Sequence, residues 1–145
     1  MALAENKKAY FDYNILEIYE AGIVLFGYEV KSVTNGRINL SGTHIVIRDG
    51  EAWLLNADIP SYQPQNTPLN YDSKRTRKLL LNKFEISTLI GKTHEKGLTL
   101  VPLRAYIKGH KIKVEIGLAK SKNKSDKREA IRKKDDKREM RKARS

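Results

Sequence analysis

The last 26 residues place the first limit on any fold this chain can adopt. From Lys120 to Ser145 the only apolar side chains are Ala130, Ile131, Met140 and Ala143, while 13 basic groups stand against 5 acidic ones. Four small or isolated apolar groups cannot offset the ordering entropy of such a stretch. A hydrophobic core must therefore come from residues 1–119, which hold 16 basic and 12 acidic side chains, a net of only +4. The 145-residue chain carries +12 in all, so two thirds of the excess lies in the tail. The expected organisation is a folded body, residues 1–119, and a basic tail, residues 120–145, that is disordered alone. Charge of this kind points to nucleic acid first and an anionic membrane surface second.

The tail has helical potential that a polyanion would release. Asp126 with Glu129 makes an N-terminal capping pattern, with Ser125 as an alternative cap. From Asp126 to Arg144 there is no Gly and no Pro, and good helix formers dominate. A helix of that length would measure roughly 28 Å and be basic around most of its circumference.

In the body, residues 10–20 are rich in β-branched and aromatic side chains and predict a strand, broken at Ala21-Gly22 and extended again to Phe26. Tyr28–Val33 predicts a short helix ending at Asn35-Gly36. Asp49-Gly50 between His44–Arg48 and Ala52–Ala57 is the strongest hairpin signal. Residues 60–72 hold three of the four prolines and read as an irregular connection, followed by the cationic run Lys74–Lys78. Asn82 and Glu85 form a capping box for a helix to about Glu95, with Leu81, Phe84, Leu89 and Ile90 on its buried face and Ile86 on the flank. A final hairpin turns around Gly109. In its second arm Ile112, Val114, Ile116 and Leu118 alternate with polar residues, which sends Lys113 outward. Short strands, hairpins and one clear helix predict a mainly β, small antiparallel barrel with helices outside it. An OB-like barrel is the natural choice for a basic body, although other small sandwiches or barrels share this β content.

Several function classes drop out. There is no cysteine, so no disulfide framework, thiolate metal site or Cys nucleophile. No apolar run approaches the roughly 18 residues of a membrane helix, and the N-terminus is too polar for a signal peptide. A cytoplasmic location is expected. His44, His94 and His110 lack metal-ligand spacing, and no phosphate-loop, nucleophile-elbow or metalloprotease motif is present. No catalytic residue, metal or cofactor is expected. Glu20, at the end of the first predicted strand, is better suited to accept hydrogen bonds from a ligand than to serve as a general base.

Seven segments together resemble the small protein B family, the SsrA-binding proteins. They are Asn6–Ala9, Glu20–Ile23, Gly27–Ser32, Gly50–Leu54, Arg75–Leu81, Lys113–Lys120 and Asp126–Arg128. The resemblance implies an OB-like barrel of about six strands with about three helices outside it and a basic C-terminal tail. It implies a monomer that binds the tRNA-like domain of transfer-messenger RNA. With aminoacylated RNA and elongation factor Tu, such a protein delivers that RNA to the A site of a stalled ribosome for trans-translation. The family's RNA-facing set falls on Asn6, Lys7, Glu20, Leu80 and Lys113. Lys7 and Lys113 would pair phosphates, Asn6 and Glu20 would bond a base or ribose, and Leu80 would pack on an unstacked base. The tail set falls on Lys120, Lys122, Asp126, Lys127 and Arg128, with Lys124 as a replacement charge, and would enter the vacant mRNA channel as a helix. The chain departs from the family at Ser121 and Asn123, where Gly and Lys are usual, and at Ser125, usually aromatic or His.

The alternative is a general OB-type binder of single-stranded RNA or a ribosome-associated protein. Such a binder needs aromatic stacking platforms along its groove. The strand aromatics fall mostly among apolar residues and read as core.

The tail reading makes a first prediction. Proline at Ile131 or Lys134 costs a helix about 3 kcal/mol. It should spare binding to the tRNA-like RNA but strongly reduce peptide tagging on stalled ribosomes, while Lys134→Ala is mild. Equal damage from both, in a reconstituted tagging assay, would mean that charge rather than helix is what the tail supplies.

Overall fold

The computed structural model describes residues 2–122 except 64, 66 and 96. The expected tail helix and Lys124, Asp126, Lys127 and Arg128 lie outside the described residues. The described strands are β1 (Ala2–Glu5), β2 (Tyr13–Ile23), β3 (His44–Arg48), β4 (Glu51–Leu55), β5 (Arg77–Leu80), β6 (Leu98–Lys108) and β7 (Lys111–Ser121). The helices are α1 (Lys7–Asp12), α2 (Gly27–Thr34) and α3 (Lys83–Thr93).

The strands form one antiparallel sheet in the order β1-β6-β3-β4-β5-β2-β7, and β7 also pairs with β6. Six strands therefore close a ring, and β1 is a seventh strand attached outside it. Strand β6 makes this possible. One edge pairs with β7 from Leu98 to Lys108, while the other is shared, Leu100 opposite Ile45 of β3 and Arg104–Tyr106 opposite β1. The interior is filled by Leu54, Leu79, Leu100, Val114, Ile116 and Leu118, with Leu89 of α3 and Leu40 joining them.

Two turns follow their local chemistry. Asp49 and Gly50 both have positive φ, 56° and 72°, which matches the right-handed twist of the β3–β4 ribbon. The β6–β7 turn is the two residues Gly109-His110, with Gly109 at φ 63°. Asn82 accepts the Glu85 N–H and Glu85 reaches back to the Asn82 N–H, the reciprocal cap expected for α3.

Four expectations are corrected. Residues 10–12 are helical, because α1 lies against an outer cluster of Ala9, Val101, Leu103 and Ala119. Strand β2 runs unbroken through Ala21-Gly22, since Gly22 is paired on both sides. The cationic run Lys74–Lys78 is in part strand, since Arg77 and Lys78 belong to β5, inserted between β4 and β2. Finally, Phe84 is 80% exposed and Ile90 is also exposed. At 3.6 residues per turn, Phe84 sits about 140° around α3 from the buried Leu89, so the apolar face is narrower than the spacing suggested.

A bulge shapes the outer wall of the barrel. Between Pro102 and Arg104 of β6 the register shifts by one residue, and Leu103 is the extra one. Leu103 is fully buried beneath α1 and occupies the space left by Gly117 of β7. A Cβ at Gly117 would lie 3.1–3.2 Å from the Leu103 side chain. Gly117→Ala should therefore destabilise the protein by about 1–3 kcal/mol, read as a lower denaturant midpoint at unchanged m-value. Gly91→Ala on α3, where the added methyl meets nothing, should be neutral or stabilising.

Candidate nucleic-acid interface

Gly22 of β2 lies directly between Leu80 of β5 and Lys113 of β7. Residues opposite one another in antiparallel pairs share a face, so all three belong to the outer wall. A Cβ at Gly22 would come within 3.3 Å of the Leu80 Cβ. The missing side chain lets Leu80 lie over β2 while remaining 51% exposed. The result is an open groove of about 360 Å³, with Leu25, Val30 and Ile112 adding apolar wall and His110 and Lys111 adding polar groups.

Two residues back along β2, Glu20 accepts a hydrogen bond from the Tyr106 hydroxyl and another from Lys108 Nζ at 3.1 Å. The Tyr106 and Lys108 bonds, with the nearby charge of Lys113, hold the Glu20 carboxyl below the ordinary range. Burial and the Glu20 acceptor push Tyr106 up to about 12. At neutral pH the pair is an ionised carboxylate and a neutral phenol, which suits an oriented acceptor and not a proton-abstracting base. Glu20 shares its row with Glu115 and Arg104, whose Nε lies 2.9 Å from Glu115 and whose guanidinium lies 4.4 Å from the Tyr106 ring centroid.

The structure thus gathers Glu20, Leu80 and Lys113 on one wall. Asn6 and Lys7 stand where α1 begins. Asn6 is buried; its amide donates to the Pro102 carbonyl at 2.8 Å and its N–H to the Leu103 carbonyl at 2.8 Å. It anchors α1 to the β6 bulge, and its Oδ1 has no partner among the described residues. Lys7 follows it and is exposed. Lys120 is exposed near the end of β7, and Lys122 ties that end to α1 through its N–H to Asp12 O and its Nζ to Tyr10 O.

A second constellation joins two of the resembling segments, Gly27–Ser32 and Arg75–Leu81, whose contact no local pattern announces. Glu29 of α2 is fully buried. It accepts from the Phe26 N–H at 2.8 Å, from Nε and Nη2 of both Arg75 and Arg77, and from the Tyr71 hydroxyl at 2.9 Å. Arg77 is also fully buried and donates onward to the carbonyls of Ala57 and Ser73. Burial pushes the Glu29 carboxyl up, but the bonds from Arg75, Phe26 and Arg77 outweigh it and hold it below the usual range. Burial and the Glu29 acceptor push Tyr71 up to about 12. Among the described residues no three His, Asp or Glu side chains are grouped to hold a metal, and no helix is long and apolar enough to cross a membrane.

A closed barrel whose outer wall combines an apolar floor with lysines defines a small β-barrel of nucleic-acid-binding type. Phosphate and exposed base call for that combination. The profile of the SmpB protein family matches residues 3–145, and the chain belongs to that family. It is 55% identical over 141 residues to the SsrA-binding protein of Carboxydothermus hydrogenoformans, covering 97% of this chain and 94% of that one. Identity to the SsrA-binding protein of Sulfurihydrogenibium sp. is 57% over 141 residues, covering 97% and 92%. A chain from the solved structures described as "tmRNA-SmpB: a journey to the center of the bacterial ribosome" superposes with a TM-score of 0.69 at 45% identity. The match covers 89% of this chain and 94% of that chain.

Glu29 yields a prediction with a definite sign. Because its folded pKa lies below the ordinary 4.5, its stabilisation is present above that pH and is lost as pH falls through the lowered value. Glu29→Gln leaves Arg77 buried without its counter-ion and should cost about 3–5 kcal/mol at neutral pH. It should also flatten the acid limb of the stability curve below pH 4.5, measured by urea titration across pH.

Proposed function

We propose that this protein binds the tRNA-like domain of transfer-messenger RNA and brings it to the A site of stalled ribosomes, so that trans-translation can release them. The observation that carries this reading is the row Leu80–Gly22–Lys113, where an exposed apolar surface and a cation share one shallow groove. Leu80 packs on an unstacked base, Lys113 and Lys7 pair phosphates, and the Glu20 carboxylate, already oriented by Tyr106 and Lys108, accepts from a base or ribose. Asn6, whose amide fixes α1 to the wall while its Oδ1 has no partner among the described residues, likewise bonds a base or ribose. Membership of the SmpB family and close identity to SsrA-binding proteins support the RNA and ribosome partners. The protein works as a binding factor without chemistry of its own, as a monomer in the cytoplasm, together with aminoacylated RNA and elongation factor Tu. The barrel takes the recognition and the tail, with Lys120, Lys122, Lys124, Asp126, Lys127 and Arg128, takes the empty mRNA channel.

The body carries little net charge, so its binding depends on shape more than on counterion release. In a competition assay the protein should prefer the folded tRNA-like domain to unstructured RNA of equal length. Lys113→Ala should weaken that binding and lower the log–log salt slope by about 1. Equal affinity for both RNAs would favour a general single-strand binder.

A further inference from the structure

We infer that Phe26, held against Arg75, is a second stacking platform for an unpaired nucleobase, extending the groove around the start of α2, with Glu29 as its positioning residue. The inference rests on the RNA-binding reading and adds to it a contact beyond Asn6, Lys7, Glu20, Leu80 and Lys113. Phe26 is the N-cap of α2 and is 49% exposed. An exposed phenylalanine ordinarily samples several rotamers, but this one is braced. The Arg75 guanidinium lies 4.1 Å from its ring centroid, and the Tyr28 ring lies 5.6 Å away. Arg75 is itself clamped by Glu29 through Nε and Nη2, and the same carboxylate accepts the Phe26 N–H. One buried group therefore fixes both the backbone under the ring and the guanidinium beside it.

The ring does not itself line the groove, but its neighbours in the chain do. Leu25 precedes it, and Val30, whose N–H bonds to the Phe26 carbonyl at 3.0 Å, lines the groove wall with Leu80. The charge around it is positive. Two guanidinium groups share the single Glu29 carboxylate, and the exposed Lys74 beside Arg75 is matched by Asp72, whose carboxylate accepts its N–H at 2.9 Å, so the surplus is the one guanidinium charge. An apolar ring fixed beside a planar cation with surplus positive charge matches a base attached to phosphate. An apolar peptide would be served equally well by leucine at this position, and a base would not.

The test uses the full chain and the tRNA-like domain of transfer-messenger RNA as probe, with dissociation constants taken at several salt concentrations. Phe26→Leu should weaken binding about ten-fold at an unchanged salt slope, because stacking is lost and no phosphate contact is. Phe26→Tyr should bind like the unmodified protein. Glu29→Gln, assayed below its melting temperature, should weaken binding, and its loss should be smaller in the Phe26→Leu background than in the unmodified protein, equal loss in both meaning that Glu29 acts on the groove as a whole and not through the ring. Such non-additivity would not arise from a purely structural role. Full affinity in Phe26→Leu, or equal loss in Phe26→Tyr, overturns the platform. If Lys113→Ala loses affinity while Phe26→Leu does not, only the platform falls. If the unmodified protein shows no preference for the tRNA-like RNA, the functional reading falls and the platform with it.

Discussion

The buried carboxylate of Glu29 is the constraint on which much of this structure depends. It lies in α2, yet most of its donors come from residues 71–77, on the far side of a long proline-bearing connection. Among its described residues that connection has few ladder bonds of its own. Ile59 N–H reaches Ser73 O, Tyr71 hydroxyl reaches Ile59 O, Ser32 hydroxyl reaches Pro60 O, and Arg77 reaches Ala57 and Ser73. A charge removed from water persists only if nearly every lone pair is taken, and here the donors are present. The consequence is rigidity: α2, the connection and β5 are held as one piece, so Leu25 and Val30 stand at a fixed distance from Leu80.

A second organising feature is the use of absent side chains on neighbouring strands. Gly22 of β2 and Gly117 of β7 are both on the outer wall. The space at Gly117 is taken by Leu103 from the bulge and covered by α1, whereas Leu80 leans over Gly22 and the rest stays open. One glycine thus closes the wall and the other opens it. Pro102 fits beside the bulge because the ladder is already interrupted there. The carbonyls of Pro102 and Leu103 are the acceptors that Asn6 takes.

Between those two ends the wall is electrostatically ordered without being strongly charged. Glu20, Tyr106 and Lys108 form one set, and Arg104, Glu115 and the Tyr106 ring another. Each carboxylate is already paired, which fixes the side chains before any ligand arrives and lowers the entropy lost on binding. Lys113 and Leu80 complete the surface from the strands on either side of Gly22.

Much of the scaffold could be read from the chain alone. Alternation of Val114, Ile116 and Leu118, the Asp49-Gly50 turn, the Asn82–Glu85 cap and the Asn35 helix end are local signals, and each is present in the structure. The division of charge between body and tail is likewise a property of composition. Strand β5 was hidden because Arg77 occupies a core position, and a buried arginine looks like any surface cation until its carboxylate is found 48 residues away. The continuity of β2 was hidden because Gly22 signals a break, and only partners on both sides reveal it as a site of close packing. For the same reason only the closed barrel shows that a bulge 96 residues away claims the Asn6 donor while its Oδ1 has no partner among the described residues. Local backbone preference is written in neighbouring residues, whereas burial of a charge, the space at a glycine and the partner of an amide are set by chain segments that meet only when the barrel closes.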